Sequence, residues 1–298
     1  MKNNRTVGAG FLVLIVFVLS SVVRFVPTES ITKDVDPYLT AALLQLVVYA
    51  VPSLIYTRIG FAERTGALRL RLPRVRHLVF MASALLCIVL GSTLINYGMH
   101  AIFTDAYVSP SRSAFVPSGA TGGGLYAVIA FAVIPALCEE FLFRSIVCAQ
   151  FECAGVGTAA FFSVALFAMS HFSFVRLPVY IFSGAALVFV FYVTRSVFAS
   201  MTVHAAANTV ALFLEEIVYK VVNRQGIVIF IFLTAALFLL FTAIALREAE
   251  RRYRQYAKNG EKAEYRLPKK ERVGLFEAAL CPPVIACAVY YVVMSAAL

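Results

Sequence analysis

Apolar residues along this chain come in long runs rather than in alternation. Windows of about 20 apolar residues, enough to cross a bilayer as a helix, recur at roughly 7–26, 37–57, 78–99, 123–147, 155–172, 177–194, 198–219, 226–246 and 275–296. The pattern predicts an all-α fold, a polytopic transmembrane helix bundle of about nine spans, with eight the next count. The fifth and sixth windows are short, as tilted, re-entrant or protein-buried helices would be. The runs divide the chain into three amino-terminal spans and their loops over 1–122, a central group over 123–220, and carboxyl-terminal spans over 221–298.

Composition supports a membrane protein. Only 14% of the 298 residues are charged and 61% are hydrophobic, against about 25% charged in ordinary soluble domains. No soluble-looking stretch exceeds about 30 residues, which leaves no room for a separate soluble domain.

Charge then orients the spans. The segment 58–77 carries Arg58, Arg64, Arg69, Arg71, Arg74 and Arg76, and the loop predicted at 247–272 is denser in basic residues still. PTESITKDVD at 27–36 and the loop around Asp105 are poor in them. Nine spans put both basic segments on the cytoplasmic side, the amino terminus inside and the carboxyl terminus outside. The net charge of +10 therefore reflects topology and contact with membrane lipids. The run RRYRQYAKNGEKAEYRLPKK mixes Tyr with basic residues, but its glutamates dilute it, and no nucleic-acid partner is expected. Residues 1–26 are expected to form a retained signal anchor, because the apolar core is long and no small-x-small site follows it before Arg24. Six cysteines fall mostly inside spans without a C-x-x-C pair, as small hydrophobes do. Short loops and chain length favour a prokaryotic inner membrane.

Few ionisable residues interrupt the runs. Glu139, Glu140 and Arg144 lie near the expected cytoplasmic end of the fourth span, His171 at the end of the fifth, and His204 with Asn208 in the seventh. A charged group at the bilayer centre costs roughly 2.5–3.5 kcal/mol on insertion scales. Glu140 and Arg144, four apart, share a helix face and can pair. Glu139 lies five residues from Arg144, about 140° around the axis, and points elsewhere. Pro135 removes a backbone donor one turn before the pair, which predicts a kink. Phe167 lies one turn before His171, and three alanines separate His204 from Asn208, allowing close helix approach. Taken singly, each group has a plain structural explanation: an ion pair, a histidine at the interface, interhelical hydrogen bonding. Their co-occurrence on three of four consecutive spans has no such explanation. Two histidines and a carboxylate inside a bundle can hold a divalent metal or position a water.

E-E-x-x-x-R at Glu139, Glu140 and Arg144, F-x-x-x-H at Phe167 and His171, and H-x-x-x-N at His204 and Asn208 together resemble the CAAX-protease and bacteriocin-processing family of intramembrane proteases. That family includes the Ras-converting-type CAAX prenyl endopeptidases. The resemblance covers roughly 124–215; Gly184 and YVTRSVFASMTVH also look family-like. It implies a catalytic core around a water-accessible cavity open to the cytoplasmic leaflet, and a metal-dependent or glutamate-dependent endopeptidase. In the glutamate-dependent account Glu139 with His171 activates water, and His204 with Asn208 stabilises the oxyanion. Glu140, Arg144 and Phe167 support the frame. In the metal-dependent account Glu139, His171 and His204 are the ligands, with zinc as the ion. The implied substrates are membrane-anchored proteins or peptides, prenylated CaaX termini among them. A non-catalytic bacteriocin-immunity or scaffold protein that retains the fold is the alternative, and a proton-coupled transporter a third reading.

Overall fold

The computed structural model describes residues 4–25, 36–60, 68–102, 124–221, 226–261 and 274–297. Residues 27–35 of the acidic stretch, the loop around Asp105, Gly122 and Gly123, Arg64 and the segment 262–273 lie outside the described residues. Helices are the only extended elements among the described residues, as the apolar runs require: inside a bilayer each backbone N–H must find its acceptor within the same segment. They are α1 (Asn4–Phe25), α2 (Pro37–Ile59), α3 (Leu78–Ile102), α4 (Gly124–Ala154), α5 (Val156–Met169), α6 (Leu177–Thr194), α7 (Val197–Val221), α8 (Ile227–Lys258), α9 (Leu275–Ala279) and α10 (Pro282–Ala297).

Each of the nine apolar windows meets a helix. Six helices, or helices extended by an adjoining turn, are long and apolar enough to cross a membrane, while α5, the apolar part of α7 and α10 are shorter apolar helices. The chain is a multi-pass integral membrane protein. The ninth window is broken: α9 stops at Ala279, and the Pro282–Pro283 pair opens α10, since proline cannot donate within a helix but suits its first turn. The basic segment also differs from the expected loop, because α8 continues as helix through Lys258.

α4 carries two widened π turns, Ile129–Val133 and Phe141–Val147. The first immediately precedes Ile134–Glu140, in which Pro135 takes the second position. Pro135 has no N–H for the preceding turn, and a π turn absorbs the mismatch that a sharp kink would otherwise take up. Gly155, at φ 100°, then reverses the chain directly from α4 into α5, in a left-handed conformation that side-chain-bearing residues avoid.

α4 packs on α2 and α7, α5 on α6 and the end of α4, α1 on α10, and α3 on α6, α7 and α8. Only 6% of the most apolar window of α8 is buried, so α8 is peripheral and its apolar face meets lipid. A strap at Leu68–Arg71 ties the base of the central helices together. Ser145 Oγ donates to the Leu68 carbonyl at 2.6 Å, the Val197 N–H donates to the Arg69 carbonyl at 3.1 Å, and Ser196 Oγ donates to the Arg71 carbonyl. Arg69 also pairs with Glu152 at 2.7 Å. These bonds join the last turns of α4 to the start of α7, the two helices that carry the carboxylates and His204.

Candidate active site

Glu139 and Glu140 lie midway along α4. The window 123–147 had put them near its cytoplasmic end, whereas α4 runs on to Ala154. A buried carboxylate requires a partner, and Glu140 has two. Its Oε1 lies 3.1 Å from Arg144 Nη1 and 2.9 Å from His204 Nδ1. Glu140 and Arg144 are both wholly excluded from solvent.

Arg144 is held on three sides. Besides Glu140, its Nη2 donates to the Gly184 carbonyl of α6 at 3.2 Å, and its guanidinium lies 4.3 Å from the centroid of the Phe167 ring. A planar fork that stacks and donates at once is an arrangement a lysine ammonium cannot copy. Phe167 is in turn the hub of an aromatic cluster. Its ring makes edge contacts with Phe143 at 5.6 Å, His171 at 5.2 Å and His204 at 5.8 Å.

Gly184 makes room for that hub. A Cβ there would approach Phe167 Cδ1 to 2.9 Å, and Phe167 is too closely surrounded to step aside. Gly184→Ala is therefore expected to destabilise the protein by about 1–3 kcal/mol, the usual range for overpacking. Thermal unfolding in detergent checks this; an unchanged midpoint would show that the ring can shift freely.

Glu139 turns away from Arg144, as the helical spacing predicts. Its Oε1 accepts from Gln45 Nε2 of α2 at 3.1 Å. His171 follows the end of α5, where the helix relaxes into a turn. Its ring stacks on Tyr180 of α6, with centroids 3.8 Å apart and planes 19° from parallel. Among the described residues, His171 Nε2 and Glu140 Oε2 are buried without a hydrogen-bond partner; the His171 carbonyl accepts from Arg24 at 3.2 Å. Among the described residues no hydrogen bond joins His171 to Glu139. Asn208 lies half-buried one turn beyond His204 on α7.

The donors do not assemble a metal site. Among the described residues no group of three or more His, Cys, Asp or Glu side chains is placed to hold an ion. The ligand set Glu139, His171 and His204 is thus not gathered: one oxygen of Glu139 faces an amide, and His171 stacks against Tyr180. All six cysteines are buried thiols rather than disulfides.

Sequence reasoning overlooked three contributors. Gln45 is a polar side chain within an apolar window, a signal visible beforehand had amides been weighed beside ionisable groups. The bond between Glu140 and His204 spans 64 positions, beyond the reach of helical spacing. Tyr180, one of many aromatic residues in the spans, gave no signal at all.

Residues 121–210 match the family model described as type II CAAX prenyl endopeptidase Rce1-like. No curated protein and no solved structure matches the chain. The matched stretch contains Glu139, Glu140, Arg144, Phe167, His171, His204 and Asn208, and over these residues the chain is similar to that family.

Proposed function

We propose that the protein is an intramembrane endopeptidase that hydrolyses peptide bonds of membrane-anchored substrates, with Glu139 as general base. The observation that carries this reading is the division of labour between the adjacent carboxylates. Glu140 is committed to a guanidinium and an imidazole, whereas among the described residues the hydrogen-bond partner of Glu139 is a neutral amide. Two carboxyl groups in unlike surroundings are suited to unlike roles.

In the proposed reaction Glu139 takes a proton from water as the water oxygen attacks the scissile carbonyl carbon. The unpartnered Nε2 of His171 orients that water. The carbonyl electrons move to oxygen, and the oxyanion receives hydrogen bonds from His204 and Asn208. His204 has Nδ1 committed to Glu140, so Nε2 is the atom left for the oxyanion. The tetrahedral intermediate collapses with cleavage of the C–N bond, and Glu139 returns its proton to the departing nitrogen. Residues 123–220 form the catalytic core in this reading, and the amino terminus faces the cytoplasm of a prokaryotic cell.

The family match favours a prenylated CaaX terminus as the first substrate to try. Purified protein in proteoliposomes is expected to shorten a farnesylated CaaX peptide, read by mass spectrometry, with the unprenylated peptide and a transmembrane peptide as comparison arms. Comparative membrane proteomics of cells carrying wild type or Glu139→Gln extends the search to native carboxyl termini. If no peptide is cut and no terminus differs, the protease reading is wrong.

A further inference from the structure

The matched region does not complete its own site. Glu139 lies within it, but the side chain that grips the carboxylate comes from α2, outside it. Gln45 is the last residue of the Pro37–Gln45 segment, immediately before a π turn, Leu46–Ala50. That turn lies against the α4 helix on both sides of Glu140, including the second π turn of α4. Two widened turns on neighbouring helices therefore meet beside the paired glutamates. Such turns are uncommon and recur at functional sites.

The geometry points to Gln45 as a positioning residue for Glu139, an amide donor supplied by an amino-terminal helix to the general base of the central core. This rests on the protease reading above. An amide N–H donated to Oε1 fixes the carboxylate plane, so that Oε2 keeps one orientation toward a water. The donor is neutral, so it orients Glu139 without the cation that Glu140 has. Tyr49, one turn further along α2, is buried as well.

The test compares Gln45→Leu, which removes the donor at similar volume, with Gln45→His, whose Nε2–H reaches about as far as the amide. One readout needs no substrate: the rate at which dicyclohexylcarbodiimide modifies Glu139, followed by mass spectrometry of the peptide. The reagent must reach a free carboxyl oxygen, so losing the donor is expected to speed labelling by about threefold to tenfold, from the usual net worth of an intramolecular hydrogen bond. The second readout is proteolysis. Gln45→Leu is expected to lower kcat by about tenfold to a hundredfold with KM within about twofold, because the effect falls on the reacting group. Gln45→His is expected to restore most of both. Labelling and kcat unchanged in Gln45→Leu would overturn the proposal. So would equal losses in the His and Leu variants, since mere packing in the π turn would suffer from either. If wild type cleaves nothing while labelling still responds to Gln45, the grip on Glu139 stands and the protease reading falls.

Discussion

Arg144→Met is expected to destabilise the protein by about 3–5 kcal/mol, the cost of leaving a buried carboxylate without its cation. Glu140 and Arg144 both have 0% exposure, so water cannot replace the lost partner. The guanidinium also closes the Gly184 carbonyl and covers one face of Phe167, and both contacts disappear with it. Arg144→Lys is expected to recover only part of the loss, since an ammonium cannot make all three contacts. Pairing Arg144→Met with Glu140→Gln removes the orphaned charge and is expected to return some stability. Unfolding midpoints of the purified proteins in detergent measure each step. Arg144→Met within about 0.5 kcal/mol of wild type, the scatter of ordinary surface changes, would mean that the ion pair does not hold the core.

Glu139→Gln is expected to do the opposite: leave the unfolding midpoint nearly unchanged and lower kcat by about 10²–10⁴, the usual contribution of a positioned general base. The substitution keeps size and an oxygen acceptor, so Gln45 retains a partner, but the amide cannot take a proton from water. The two neighbouring glutamates should thus separate cleanly, Glu140 into stability and Glu139 into rate. Full cleavage of a farnesylated or transmembrane peptide by Glu139→Gln protein would eliminate Glu139 as the base. A large loss of stability would instead make it a second structural carboxylate.

The pairing of Glu140 with Arg144 was legible beforehand because both partners share one helix. Spacing on a helix fixes which side chains are neighbours, and the π turn at Phe141–Val147 left this pair intact. The proline kink was legible in kind, as a defect in the backbone ladder, but not in form. Lengthening of α4 to Ala154 was not foreseen, because Glu152 and the small residues around it end the apolar window before the helix ends. His204 was placed beside Asn208 for its chemistry, whereas its Nδ1 belongs to Glu140 on another helix. Gly184 was marked only by resemblance; its carbonyl bond to Arg144 and its close approach to Phe167 supply the physical reason for a residue without a side chain.

The sequence by itself determined that this is a helical membrane protein, where its apolar runs lie, and which few polar groups had to be buried. Those outcomes rest on local physics: an apolar run must satisfy its backbone internally, and a charge within it must be compensated. Only the tertiary structure decided which helix compensates which group. Arg144 meets an α6 carbonyl, Glu140 an α7 imidazole and Glu139 an α2 amide. Each contact joins segments far apart in sequence, and its partner is set by how the helices pack around Phe167.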